Sequence, residues 1–366
     1  MKPTSIAGVV LGFWFLGCGS SSAETGGSRG GEPSSGGTSK SGAGAASGET
    51  GTQLGGAGSA SPSSSGTGGW AAGASNGAAA SGGTSGVGTS GAGAALGGLS
   101  NADGNGGTGG EAITTPAGYK LVWHDEFDVD GAPDPKNWKF EKGFVRNEED
   151  QWYQAANASV QGGLLVLEAR LETVQNPNYT GTGDWKTTRK TAEYTSSSIN
   201  TSGLQSFQYG HFEMRARIPT DAGMWPAWWT LGESGEWPSN GEIDIMEYYQ
   251  GKVLANVACG TATRYQAKWD SATQQLSALG GAAFTSQFHV WTMDWDDQNI
   301  ILSLDGTQMN TTALSAALNA DGTSPFKQKD YLLLNLALGG QNGGDPSKTT
   351  FPQRYEVDYV RVFQKQ

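Results

Sequence analysis

The chain predicts an all-β domain of two antiparallel sheets packed face to face, and three observations carry that expectation. Short runs of β-branched and aromatic residues recur, with Gly, Asn and Asp punctuation, over about the last 250 of the 366 residues. Only one helical signal interrupts them, the short stretch Ala313 to Leu318. A length near 250 residues is also ordinary for a single all-β sandwich.

The region before that domain has a different composition. Lys2 precedes an apolar run from about Ile6 to Leu16, too short to span a bilayer and of the length of a signal h-region. Phe15-Leu16-Gly17-Cys18 resembles a bacterial lipobox, which implies cleavage before Cys18 and lipid on its thiol, although Phe15 stands where leucine is usual. Ordinary signal cleavage near Ser22-Ala23 is the alternative. Residues 1–18 are therefore read as a signal peptide, and export to a lipid-anchored position at the cell surface or periplasmic side is expected, with secretion otherwise. Residues 19–112 are dominated by Gly, Ser, Ala and Thr and hold most of the 58 glycines. Such a segment buries too little apolar surface to offset chain entropy, so it is read as a disordered linker. As a flexible coil it would reach roughly 50 to 60 Å, enough to hold a domain away from a membrane.

Residues 113–366 carry the strands. Leu164 to Leu171 follows Gly162-Gly163. In Tyr209 to Ile218, Phe212, Met214, Ala216 and Ile218 alternate with His211, Glu213, Arg215 and Arg217, the pattern of a half-buried strand. Ile300 to Leu304 runs into Asp305-Gly306, a hairpin turn signal. Tyr331 to Leu338 is nearly continuous apolar sequence, as expected of a central strand covered on both faces. Tyr355 to Phe363 alternates again.

The run Gly241-Glu242-Ile243-Asp244-Ile245-Met246-Glu247 stands out from this background. Asn240-Gly241 marks a turn, and Ile243, Ile245 and Met246 favour a strand. Glu242 and Asp244, two apart, share a face. A regular strand would send Glu247 the other way, whereas a β-bulge between Asp244 and Glu247 would return it to the acidic face. Like charges about 7 Å apart repel by about 2 kcal/mol at an effective dielectric of 20, so stability alone does not favour the trio. A solvated edge strand and a calcium ligand set are the plain readings. A retaining glycosidase is the sharper one, since it needs a nucleophilic carboxylate and a second carboxyl as acid and base.

Net charge narrows the partners. At −12, with no basic cluster, the chain suits neither nucleic acid nor strong attraction to anionic substrates, and a neutral polysaccharide fits best. Two cysteines are present; with lipid on Cys18, Cys259 has no disulfide partner and reads as a small buried hydrophobe. Three histidines and one mature thiol leave no zinc cluster of recognisable spacing. The chain has 13 tryptophans, and Trp225, Trp229 and Trp237 lie just before the acidic run, where flat indole faces suit pyranose rings. Of the adjacent pair Trp228 and Trp229, one is expected in the core, because neighbours on a strand face opposite ways.

These motifs are collinear with a known family. Glu242-Ile-Asp244-Ile-Met-Glu247 resembles the signature of glycoside hydrolase family 16 in its bulged, laminarinase-like form. The resemblance runs from about Tyr119 to Phe363. It includes Trp123-His-Asp-Glu126-Phe127, Asn147-Glu-Glu-Asp-Gln151-Trp-Tyr153 and Tyr209-Gly-His-Phe-Glu213-Met-Arg215. It continues through Trp225-Pro-Ala-Trp228-Trp229 and Leu334-Asn335-Leu-Ala-Leu-Gly339-Gly340, and closes with Asp358-Tyr-Val-Arg-Val362. It implies a β-jelly roll whose concave sheet forms a sugar-binding cleft. It also implies that Glu242 is the nucleophile, Glu247 the general acid/base, and Asp244 a group that holds and polarises Glu242. Substrate-binding roles follow by the same resemblance for Trp225, Trp237, Asn147 and Tyr153, with a merely structural part the alternative for Asn147 and Tyr153, and with Arg215 either near the nucleophile or paired with a carboxylate such as Glu213. Glu126, the Gly163 carbonyl and Asp358 match a structural calcium site; salt-bridged carboxylates are the alternative. Catalysis itself needs no cofactor.

The implied activity is a monomeric, retaining endo-glycosidase that cuts β-1,3 or mixed β-1,3/1,4 glucan through a covalent glycosyl-enzyme. Hydrolysis of a galactan such as agarose, or transglycosylation, is the alternative within the fold. A carbohydrate-binding surface protein without turnover is the alternative of another class, disfavoured by the intact acidic trio. Cys259 stands where an aromatic residue or histidine is frequent, and the loop Asn176 to Tyr194, with Trp185 and several cations, is placed to cap one end of the cleft.

Overall fold

The computed structural model describes residues 113–366. Cys18, its lipobox-like context and the linker 19–112 lie outside the described residues. The strands, in chain order, are β1 (Tyr119–Asp125), β2 (Lys139–Phe140), β3 (Gln151–Tyr153), β4 (Ala158–Gln161), β5 (Leu164–Gln175) and β6 (Thr191–Ser196). There follow β7 (Ser198–Asn200), β8 (Gly210–Arg217), β9 (Met224–Gly232), β10 (Glu242–Tyr249), β11 (Lys252–Gly260) and β12 (Ala267–Gln275). The last are β13 (His289–Trp295), β14 (Asn299–Leu304), β15 (Thr307–Ala313), β16 (Asp330–Leu338) and β17 (Gln353–Lys365).

Two sheets form, as the strand signals predict. One runs β15-β14-β13-β8-β17-β5-β6-β3, with β1 added on β17 and β4 on β5; the other runs β12-β11-β10-β9-β16-β7-β2. Every named pairing is antiparallel except β3 with β6. Phe212, Met214 and Ala216 of β8 are buried as the alternation predicts, and Ile218 just beyond the strand joins them. They share one core with Trp228, Ile243, Ile245, Met246, Leu334 and Leu336 of the facing sheet. β16, flanked by β9 and β7, is buried along almost its whole length, which explains its unbroken apolar sequence. Asp305 and Gly306 both take positive φ (48° and 72°) in the β14–β15 turn, the backbone that a two-residue hairpin of right-handed twist requires.

The helical expectation for Ala313 to Leu318 is corrected. Ala313 ends β15, and the chain then makes one turn in which the amides of Ala316 and Ala317 share the Ala313 carbonyl. So short a segment does not repay helix nucleation, and burial of Leu314 and Ala317 fixes its shape instead.

The β1–β17 ladder joins the two ends of the domain. Tyr119 pairs with Lys365, and the Gln366 amide bonds to the Gly118 carbonyl at 3.1 Å.

Candidate active site

The site is built on β10, the third strand of the seven-stranded sheet, between β11 and β9. Gly241 opens the strand with φ 82°, and a Cβ there would fall 2.9 Å from the Phe326 ring, so the turn admits only glycine. Along β10 the pairing slips once. Asp244 faces Asn256 and Glu247 faces Leu254 on β11; on β9, Asp244 faces Trp229 and Met246 faces Trp228. This is the bulge expected from the sequence. Ile243, Ile245, Met246 and Tyr248 enter the core, while Glu242, Asp244, Glu247 and Tyr249 lie on the open face.

Each outer carboxylate is held by an indole. Trp225 Nε1 donates to Glu247 Oε1 at 2.7 Å, and Trp237 Nε1 donates to Glu242 Oε2. Asn256 Nδ2 donates to the other oxygen of Glu247 at 3.1 Å. Trp225 stands on edge against Tyr249, with ring centroids 5.6 Å apart. Trp228 is fully buried in the core and Trp229 lies on the open face, where its Nε1 donates to Asn335 Oδ1 at 2.7 Å.

Electrostatics separate the three carboxyls. Burial pushes Glu242 up to about 7, against the pull of the Trp237 N–H, a hydrogen bond from Asp244 and the Arg146 charge. Burial, with the charges of Glu242 and Glu247, holds Asp244 well above the carboxylate range. Asp244 therefore keeps its proton and can direct it to Glu242. Burial also lifts Glu247 to about 7; the Trp225 bond opposes this, and the Glu242 charge adds to it. The trio titrates as a unit, and the asymmetry has a direction. Glu242 has the Arg146 charge and the Asp244 hydrogen bond in its favour, so the environment supports its charged form. Its charge then keeps the proton on Glu247.

A second polar layer lies on the β16 side. Arg146 stacks over Trp229 at 5.1 Å and is ion-paired with Glu141. Glu149, 2 % exposed, accepts from Gln151 at 2.7 Å and is lifted by burial to about 7. Asn335 Nδ2 reaches the Tyr153 hydroxyl at 3.4 Å.

The structure places the other expected residues as follows. Trp225 and Trp237 reach the trio through their N–H groups. Asn147, at φ 54°, donates to Glu149 at 3.5 Å, and its carbonyl accepts from the Gln341 amide at 2.9 Å. Tyr153 is fully buried under the open face, where its hydroxyl meets Asn335 and Glu149, so it supports the floor and offers no ring to a sugar. Arg215 is not brought to the site. It lies on β8 in the other sheet, 2.5 Å from Asp358 and over the Phe288 ring. The calcium donors do not fit a cation as arranged. Arg361 takes both oxygens of Glu126 at 2.9 and 2.7 Å, Arg215 takes Asp358, and Gly163 occupies the β4–β5 turn. Among the described residues no group of three or more His, Cys, Asp or Glu is arranged to hold a metal. Cys259 is buried, and its Sγ contacts the Leu318 carbonyl.

Asn256, Arg146 and Asn335 escaped sequence reasoning as parts of the site. Asn256 and Asn335 did leave a signal: each is a lone amide in an otherwise apolar strand, at a position that alternation sends away from the core.

A model of the glycosyl hydrolases of family 16 matches residues 167–361. A β-glucanase of Rhodothermus marinus is 35% identical over 262 residues, covering 67% of this chain and 85% of its own. The catalytic domain of an endo-1,3-β-glucanase (laminarinase) from Thermotoga petrophila superposes with a TM-score of 0.57 at 32% identity, over 68% of this chain and 98% of that one. A structure reported among endo-acting O-glycanases of the human gut microbiota that initiate mucin breakdown superposes with a TM-score of 0.64 at 32% identity, over 70% and 94%.

Proposed function

The chain belongs to the glycosyl hydrolases of family 16, and on that premise we propose how its own residues divide the work of cutting a β-linked glucan. It is a glycoside hydrolase, a retaining endo-β-glucanase. Glu242, as the carboxylate, attacks the anomeric carbon and forms the glycosyl-enzyme ester while the bond to the leaving oxygen breaks. Glu247 gives its proton to that oxygen, then takes one from the water that cleaves the ester. Asp244 holds Glu242 in line through the hydrogen bond between them. Trp225 and Trp237 fix the two acids, and Asn147 contacts the sugar on the non-reducing side.

The observation that carries this reading is the single β10 bulge, which turns three carboxyls to one face with an indole N–H on each outer member. The substrate is a neutral β-1,3 or mixed β-1,3/1,4 glucan, in keeping with the net charge of −12. The protein works as a monomer, without nucleic-acid partners. It is held at the cell envelope by lipid on Cys18, a reading supported by the sequence of residues 2–18; replacing Cys18 by Ser and following partition into detergent tests the anchor.

The function is tested by incubating the enzyme with laminarin, lichenan, agarose and carrageenan and resolving the anomers by NMR. Release of β-configured oligosaccharides from the first two is expected; an inverted first product would overturn the covalent route. In the same assay, Glu242→Gln and Glu247→Gln should each lower turnover by roughly a thousandfold or more, with near-UV circular dichroism unchanged.

A further inference from the structure

The ladder from β10 through β11 to β12 brings a tryptophan into the row of the proposed nucleophile. Glu242 pairs with Ala258, and Ala258 pairs with Trp269. Facing residues in a ladder point the same way, so all three belong to one face. The opposite face of β12 is identified independently. Asp270, next to Trp269, accepts a hydrogen bond from Thr312 of β15 at 2.8 Å, and Asn310 of β15 bonds to the carbonyls of both Asp270 and Ala255. Asp270, itself exposed, thus looks toward β15, and Trp269 points to the opposite face of the sheet, where it is half-buried.

Two features suit this indole to a sugar. In the ladder Ala258 lies between it and Glu242, a gap of two strand spacings, about 10 Å. The loops on either side are tied together: Arg264 takes both oxygens of Glu236 at 2.8 and 2.6 Å, and Tyr265 donates to the same carboxylate. The clasp joins the loop after β11 to the loop that carries Trp237, and so braces the wall beside Glu242.

We propose that Trp269 forms a sugar-binding platform on the leaving-group side of the cut bond, stacking on a β-linked glucosyl unit beyond the ring that departs. The proposal rests on the glucanase reading above, which puts Asn147 and the β16 side on the other half of the chain. The apolar face of a pyranose lies flat on an indole, and the half-buried ring of Trp269 keeps part of its surface for such a ligand.

The test uses laminarihexaose labelled at its reducing end, with the positions of cutting read by mass spectrometry. If Trp269 holds the leaving side, Trp269→Ala moves cutting toward the labelled end, because registers rich in glycone-side contacts then dominate. It also lowers kcat/KM by about tenfold, and Trp269→Phe restores most of the wild-type pattern. An unchanged distribution of labelled fragments overturns the proposal, whether or not the overall rate falls, since a structural role slows every register alike. If the wild-type enzyme leaves the hexaose intact but cuts another polysaccharide, the substrate reading fails and the platform for glucosyl units fails with it.

Discussion

Glu247 shows how burial sets chemistry at one residue. Its carboxyl would titrate near 4.5 in an unfolded chain and is lifted to about 7 by burial and by the Glu242 charge. A group lifted in this way supports folding fully below pH 4.5 and loses that support as pH climbs through 7. Glu247→Gln cannot ionise, so it does not suffer the loss. Its melting temperature relative to wild type should rise between pH 4.5 and 7 and then level off, at a gain of about 7–14 °C. A difference that stays flat across that range would mean that Glu247 titrates normally. The acids themselves were legible in the sequence, because three carboxylates within six residues of a strand demand a cause. Their holders were less so. Trp225 and Trp237 were expected to bind sugar, and their N–H bonds to the acids were not foreseen; an amide such as Asn256, supplied by the neighbouring strand, becomes a partner only through register, which no local pattern encodes. For Tyr153 and Arg215 the structure fits the alternative reading, a structural tyrosine and an arginine paired with a carboxylate. Each sits in a motif of the right composition, yet one is sealed beneath the floor and the other faces away on the second sheet.

At the scale of elements, the β10 bulge followed from the sequence because the alternative regular strand would bury Glu247 among Met246 and Trp228. The half-buried strand β8 was equally plain, and its exposed side now has a function of its own. His211 lies 2.8 Å from Asp294 and 3.7 Å from Glu213, linking β8 to β13. Burial disfavours the charged ring, but the hydrogen bonds and charges of Asp294 and Glu213 outweigh it and raise the imidazolium to about 9. That clamp is complete below pH 6.5 and disappears as pH passes 9. His211→Gln should therefore melt lower than wild type at pH 6 and at the same temperature above about pH 9.5. A deficit that persists in alkali would assign the loss to packing against Tyr119 and Phe363. The predicted helix at Ala313 to Leu318 failed because a few alanines and leucines in sequence satisfy propensity without the length that cooperativity needs.

At the scale of the molecule, the two-sheet class was readable from alternation and turn residues, while strand order was not. The pairing of β1 with β17 spans almost the whole domain, and contacts so distant in sequence leave no local trace. The same distance explains the calcium expectation. Glu126 and Asp358 are brought to one sheet, as the family resemblance implies, but Arg361 and Arg215, from β17 and β8, neutralise them first. Adding a chelator should leave the melting temperature of the purified protein unchanged; a fall of several degrees would show that a metal displaces these pairs. The closing ladder has a mechanical corollary. Tyr119 sits opposite Lys365, so a load applied between the two ends of the domain enters the ladder at its tip. It would peel β1 from β17 one bond at a time, the weakest way to pull a sheet apart.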